Sequence, residues 1–382
     1  MEWAQHFTQS LWAAVLVCTA CVFGTVFYRL YLSPLAKFPG PKLAAATAWY
    51  EFYYDCICHG KYTFEIARMH RQYGAVLFLL LNMHDAECLL SGPIVRISPW
   101  ELHIDDPDYY EVLYSRNSPR NKYRFYANMF GNPKAAIAIL DHSHHRLLRS
   151  NMNPYFSMQR IRALEPEIKK LVDKLCCRIN EFKNTGVPIT IQHAYTCFAT
   201  DVISDYTMGS GFHYLDEPYF IPQWSNTLSG IARSSAFFKP FPWLLSLLKG
   251  LPQGLVTRLN PGMGLMFEFQ RRCGVLINSI IESQKTGEEK QKFNHPTFFH
   301  DVLASDLPPE EKSAERLAQE IQVVIGAGGE TVAKMLSWTT YYLLENPEKL
   351  RSLKEELDRL DPDRVASLVD LEKMPYVVSP PP

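Results

Sequence analysis

The stretch Ile321–Tyr342, IQVVIGAGGETVAKMLSWTTYY, constrains the fold more than any other part of the chain. Its apolar residues recur at helical spacing. Pro308-Pro309-Glu310-Glu311 and the charged run to Glu320 supply a solvated beginning. Asn346-Pro347 ends it, because proline lacks the donor N–H and clashes with the preceding turn. A long buried helix is therefore expected here, yet Gly326, Gly328 and Gly329 fall within four positions of its middle. Each glycine costs a helix interior about 1 kcal/mol relative to alanine. Glu330 and Thr331 follow, an acid and a hydroxyl among Ile, Val, Leu, Met and Trp. Two readings are open. In one, the glycines serve a close helix–helix crossing, with Thr331 bonding back to a carbonyl of the previous turn. Alternatively, they bare the backbone for something flat and bulky, with the acid and hydroxyl beside it.

The whole chain sets loose bounds. Its 382 residues suffice for one large domain or two ordinary ones, and 47% hydrophobic against 21% charged residues describes a globular protein with a sizeable core. A formal net charge of −1 gives no electrostatic reason to expect a nucleic acid partner. Nine cysteines, an odd number without framework spacing, argue against a disulfide scaffold. Cys56, Cys58, Cys176 and Cys177 lack partners at zinc spacing, and all nine thiols are read as reduced.

Leu11–Tyr28, LWAAVLVCTACVFGTVFY, contains no charge. With Phe7–Ser10 it reaches the roughly 20 residues that cross a hydrocarbon core as a helix. Arg29, Lys37 and Lys42 all follow it, so the positive-inside rule puts the C-terminal side in the cytosol. Residues 1–30 are expected to be a single-pass membrane anchor. Residues 31–42 include three prolines within Pro34–Pro41 and form a stiff extended spacer. Residues 43–382 then make the main body. Pro93–Ile104 alternates like a strand pair around a Ser98-Pro99 turn. Before it lies Ala75–Gly92, AVLFLLLNMHDAECLLSG, an apolar interruption. It reads as a translated retained intron in preference to a buried or membrane-contacting insertion.

His142, His144 and His145 invite a metal reading, but on a helix they do not converge on one face, and no carboxylate or cysteine completes a site. Ile161–Phe182 and Tyr195–Met208 have amphipathic helical patterns without a chemical signature. Ala236–Val256 is strongly apolar but is cut by Pro240, Pro242 and Pro252, too broken to span a bilayer. Trp243, Lys239 and Lys249 suit it to a membrane interface.

Ala327-Gly328-Gly329-Glu330-Thr331 matches [AG]-G-x-[DE]-T, the oxygen-binding pattern of the cytochrome P-450 heme-thiolate monooxygenases, and the chain resembles that family from about Tyr31 onward. The order of a long helix, then ENPEKLRSLKEEL, then DLEKMPYV is similar to the family's, as is YG-PIVRI once residues 75–92 are set aside. The resemblance implies a mainly α fold with a small β-sheet behind an N-terminal transmembrane helix. It implies a heme cofactor, electrons from an NADPH-cytochrome reductase, a small apolar substrate, and residence in the endoplasmic reticulum membrane with the catalytic part facing the cytosol. By the same resemblance Thr331 would hold iron-bound dioxygen, Glu330 would link it to solvent, and Ala327 and Gly328 would flank the heme. His145 and Arg149, four apart on one helical face, stand where the family places an aromatic and an arginine that reach the heme propionates. PIVRISPWELHIDDPDYYEVLYS resembles fungal members acting on terpenoids such as trichodiene.

The chain departs from the pattern after Met374-Pro375-Tyr376. The Glu-x-x-Arg helix and the F-x-x-G-x-x-x-C-x-G loop that supplies the thiolate ligand are both missing, so the fold is expected to be incomplete. Glu356-x-x-Arg359 has the first spacing but precedes the landmark, and it reads as a surface salt-bridge pair. The rival expectation is a non-catalytic, membrane-bound helical protein.

Overall fold

In the computed structural model the glycine-bearing stretch is the middle of a 32-residue helix, Ala314–Glu345, called here the central helix. The structure describes residues 2–74, 93–115, 117–129, 131–209, 211–286, 297–360 and 366–378. The interruption at 75–92 lies outside the described residues. Most of the described chain is helical, with one two-stranded sheet. The chain divides into two compact units, residues 1–119 with 234–246 and residues 120–233 with 247–382.

In the second unit the central helix packs chiefly on Ile191–Met208, the crossing helix, and on Gly262–Thr286. Ile321 and Ile325 are fully buried there with Trp224, Phe269, Ile277, Phe298 and Phe299. Trp224 is satisfied at its polar end, its Nε1 donating to Thr200 Oγ1 at 3.0 Å. Tyr155 and Tyr206 stack with centroids 4.4 Å apart, and each hydroxyl donates to the other residue's backbone carbonyl. The pattern at Ile161–Phe182 resolves into two helices, Met158–Ala163 and Glu165–Asn180. Pro166 sits in the first turn of the second helix, where a missing N–H costs nothing.

The start of the central helix is clamped by buried charge. Arg316 and Glu320 are almost fully buried and meet at 3.0 Å. Glu320 also accepts from the backbone N–H of Ala136 at 2.9 Å. Arg316 reaches Glu311 at 3.0 Å, and Glu311 bonds His144 Nε2 at 2.7 Å. The far half behaves differently from the buried helix expected. Met335, Trp338, Tyr341, Tyr342 and Leu344 are exposed, so among the described residues this flank of the helix is uncovered. The pair at Glu356 and Arg359 is also corrected. Glu356 is buried and its two carboxylate oxygens accept from the backbone N–H groups of Tyr376 and Val377, each at 3.1 Å. It caps the start of Pro375–Val378, while Arg359 is exposed.

The first unit begins with the helix Glu2–Phe27, prolonged by one wider turn, Tyr28–Leu32. Within it Gln9–Leu32 is long and apolar enough to cross a membrane, and none of it is buried. The sheet pairs β1, Ile94–Arg96, antiparallel with β2, Leu102–Ile104, in the register Ile94↔Ile104, Val95↔His103 and Arg96↔Leu102. The proline segment lies against β1. Arg96 N–H donates to Pro39 O at 2.7 Å, and a side chain on Gly40 would collide with Arg96 O. Arg29 donates to Ala46 O at 2.7 Å and covers the Trp100 ring at 4.9 Å, while Arg96 Nη1 donates to Arg29 O at 2.8 Å. Lys239 bridges Glu51 at 2.6 Å and Glu101 at 2.9 Å with all three side chains largely buried. His70 Nε2 lies 2.8 Å from His103 Nδ1. The broken apolar stretch forms the end of Pro222–Phe238, then Pro242–Lys249 and Gln253–Leu259. Trp243, Leu247, Leu255 and Leu259 along it are exposed.

Candidate functional site

The three glycines of the central helix serve two ends. A Cβ on Gly328 would come within 3.0 Å of Ile203 Cγ1, and one on Gly329 within 2.9 Å of Thr200 Oγ1. Both bare positions face the crossing helix, so close helix packing accounts for them. A Cβ on Gly326 meets nothing within 4 Å. Ala327 and Thr331 are exposed, one turn apart, and Thr331 Oγ1 donates to Ala327 O at 2.8 Å. The hydroxyl thus satisfies an ordinary back-bond while its oxygen keeps acceptor capacity. Gly326, Ala327 and Thr331 form the open part of the helix middle, and Gly328 forms the packed part.

Glu330 turns away from solvent. Its Oε1 accepts from Ser229 Oγ at 2.7 Å and pairs with Lys334 Nζ at 2.8 Å. Its Oε2 is buried and has no hydrogen-bond partner among the described residues. Ser229, on Pro222–Phe238, was invisible to sequence reasoning because a lone serine in an amphipathic helix carries no signal.

His145 and Arg149 lie on the helix His142–Met152, which starts at Asp141, whose carboxylate accepts from His144 N–H at 2.8 Å. The histidine run therefore divides, His144 going to Glu311 and His145 to a cationic cluster. Burial holds the His145 imidazole below its usual pKa, and Lys122, Arg149 and His142 add to the effect. Lys122 is a member the sequence did not suggest. Its Nζ donates to Ile137 O at 2.9 Å and Ala136 O at 3.1 Å. Burial lowers its pKa, with the Glu320 charge opposing. Crowded cations of this kind relax when an anion such as a carboxylate arrives.

The described thiols do not suit metal ligation by a thiolate. Cys197 and Cys273 are buried in apolar cores, and burial pushes both thiols up, Cys273 to about 12. Cys176 and Cys177 are exposed on Glu165–Asn180, Cys18 and Cys21 lie on the apolar N-terminal helix, and Cys56 is pushed up by burial.

Residues 101–379 match the family model described as Cytochrome P450. A cytochrome P450 monooxygenase of Ascocoryne sarcoides is 41% identical over 365 residues, covering 93% of this chain and 68% of the relative. The tryptophan 6-hydroxylase of Fusarium equiseti is 38% identical over 368 residues, covering 96% of this chain and 68% of that protein. A cytochrome P450 monooxygenase of Macrophomina phaseolina is 39% identical over 325 residues, covering 85% of this chain and 95% of the relative.

Proposed function

Because the chain belongs to the cytochrome P450 family, we propose that it serves the heme-dependent monooxygenation of a small apolar molecule, terpenoid in class. Its body faces the cytosol from the endoplasmic reticulum membrane, held by the N-terminal helix, and an NADPH-cytochrome reductase supplies electrons. The observation that carries the reading is the division of the central helix, with Gly328 and Gly329 taken up by packing and Gly326, Ala327 and Thr331 left open.

The residues fit the group on two counts. The open face at Gly326, Ala327 and Thr331 suits a flat macrocycle. Lys122, His145 and Arg149 suit its carboxylates, Arg149 by its bidentate fork. They do not fit on a third count. No described cysteine has the environment of an axial thiolate, and no cysteine of the 382 residues lies in an F-x-x-G-x-x-x-C-x-G context. In this family the bound heme activates O2 so that one oxygen atom enters the substrate. This chain's own contribution is the distal side. Thr331 offers a hydroxyl that both donates and accepts, and Glu330 offers a buried carboxylate to hold a proton. The exposed residues of Pro242–Lys249 and Gln253–Leu259 lie at the membrane interface.

The deciding experiment adds hemin to the purified 382-residue chain and records the reduced carbon monoxide difference spectrum. No thiolate-type band and no stoichiometric heme are expected from these residues alone, and the rival reading as a non-catalytic membrane protein predicts the same. The two part when the chain is joined to a heme-ligand loop of the family and residues 75–92 are removed. Heme uptake and substrate oxidation, with Thr331→Ala uncoupling oxygen use from product, support the proposal. A thiolate band from the unmodified chain overturns the expectation that these residues alone hold no heme, and absence of heme in the joined protein overturns the whole. Membrane residence is tested by alkaline carbonate extraction with and without residues 1–30, and release of the full chain into the soluble fraction overturns the anchor.

A further inference from the structure

Ala136 is held by charged side chains at both of its backbone polar groups. Its N–H donates to Glu320 Oε2 at 2.9 Å, and its carbonyl accepts from Lys122 Nζ at 3.1 Å. The alanine is buried and begins the short turn Ala136–Ala138. Lys122 Nζ also donates to Ile137 O at 2.9 Å, and the Lys122 backbone N–H donates to Leu140 O at 3.2 Å. Two of the three ammonium donors are thus spent on the turn, and the third has no partner among the described residues. Glu320 is 2% exposed, and the Arg316 guanidinium that neutralises it meets the same Oε2 at 3.0 Å. The Lys134 N–H donates to Gln319 Oε1 at 2.8 Å, so the segment ahead of the turn is bonded to the central helix as well. A buried carboxylate of the central helix therefore fixes the turn, and the turn fixes the ammonium.

We propose that Glu320 is a positioning residue for Lys122, setting through Ala136 where that cation stands beside His145 and Arg149 to meet the carboxylates of the heme. The role rests on the reading of Lys122, His145 and Arg149 given above. Lys122 and Arg149 lie close enough to Glu320 for their charges to act on it, and the same two cations act on His145. The central helix thus reaches the cluster by one carboxylate, which acts on Lys122 by charge and by the bonded path through Ala136. The two contributions are separable, because glutamine in place of Glu320 keeps an acceptor for the Ala136 N–H and gives up the charge.

The test has two readouts. The first uses the full chain in detergent and needs no cofactor. A pulse of acetic anhydride acylates each lysine amine as far as it is free and reachable, and mass spectrometry gives the rate at Lys122 against that at Lys249. Lys249 donates to Gly131 O instead and serves as the reference for general loosening. In Glu320→Ala the Lys122 rate rises several-fold at an unchanged Lys249 rate, and Glu320→Gln returns it to near the wild-type rate. A rate equally high in both variants reports lost charge alone and overturns the positioning role. So does a Lys122 rate unmoved by Glu320→Ala, or one that rises together with Lys249. Should Glu320→Ala fail to fold because Arg316 is stranded, Arg316→Met with Glu320→Leu removes the acceptor without leaving a buried cation, and it carries the same expectation. The second readout compares hemin with its dimethyl ester in the joined protein. Wild type and Glu320→Gln take up the diacid about tenfold more tightly than the ester, and Glu320→Ala loses most of that preference at unchanged affinity for the ester. Equal weakening of both porphyrins overturns the positioning role. A wild type that binds neither porphyrin, or both alike, overturns the reading of the cation cluster, while the acylation rates still decide the link between Glu320 and Lys122.

Discussion

Replacing the three central-helix glycines by alanine, one at a time, separates packing from open backbone. At Gly326 the added methyl meets no atom within 4 Å, so the change contributes only its propensity gain of about 1 kcal/mol. At Gly328 the methyl lies 3.0 Å from Ile203 Cγ1 and 3.3 Å from its Cβ. Isoleucine on a helix has one strongly preferred rotamer, so it cannot swing aside. The helices must separate, and overpacking of this kind costs about 1–3 kcal/mol against the propensity gain of about 1. At Gly329 the methyl lies 2.9 Å from Thr200 Oγ1, the same oxygen that accepts the Trp224 indole N–H at 3.0 Å. Displacing that oxygen adds a weakened buried hydrogen bond, worth about 1 kcal/mol, so a net loss of about 1–3 kcal/mol is expected. Urea unfolding followed by tryptophan fluorescence gives the midpoints. Gly326→Ala should exceed wild type, Gly328→Ala should match it or fall below, and Gly329→Ala should be the least stable. A Gly329→Ala chain as stable as Gly326→Ala would refute the assignment of that glycine to the helix crossing.

Lys239→Met should destabilise the chain by about 3 kcal/mol, because Glu51 and Glu101 are left buried without their cation, and adding Glu51→Leu should recover part of the loss. The His70–His103 contact should weaken in acid. Burial and then His103 depress the pKa of His70, so its contribution is complete above the unfolded value near 6.5 and is lost as pH falls through the lower folded value. An unfolding midpoint that does not fall with pH in that window, or falls equally in His70→Gln, would remove this contact from the account. Spliced message should join the codons of Gly74 and Pro93 directly or nearly so, and a message pool that always retains 75–92 would make the segment part of the protein.

The main helices and the hairpin were legible because their signals are local. Alternation around Ser98-Pro99 gave β1 and β2, and the prolines around Ala236–Val256 marked its breaks. The division of labour among Gly326, Gly328 and Gly329 was not legible, since it depends on which neighbour each position faces. The same holds for Ser229, Lys122 and the capping carboxylate of Glu356, whose partners lie 101, 14 and 20 residues away. The Glu356-x-x-Arg359 spacing misled for a related reason. An i,i+3 pair looks like a local ion pair until two orphan N–H groups from a distant helix start claim the carboxylate.

Between the apolar N-terminal helix and the hairpin, Pro39 is bonded to β1, Gly40 has no clearance beside it, and Arg29 is fastened to Ala46, Trp100 and Arg96. The N-terminal helix and hairpin therefore turn together, like a screw and its head. Each residue added to that helix advances the hairpin by about 1.5 Å and rotates it by about 100°. Under the anchor proposed above, lengthening the helix by one residue would turn a different side of the hairpin toward the membrane surface. Only insertions near whole turns, three or four residues and then seven, would restore the original side. Under that proposal the length of the helix sets azimuth as well as depth.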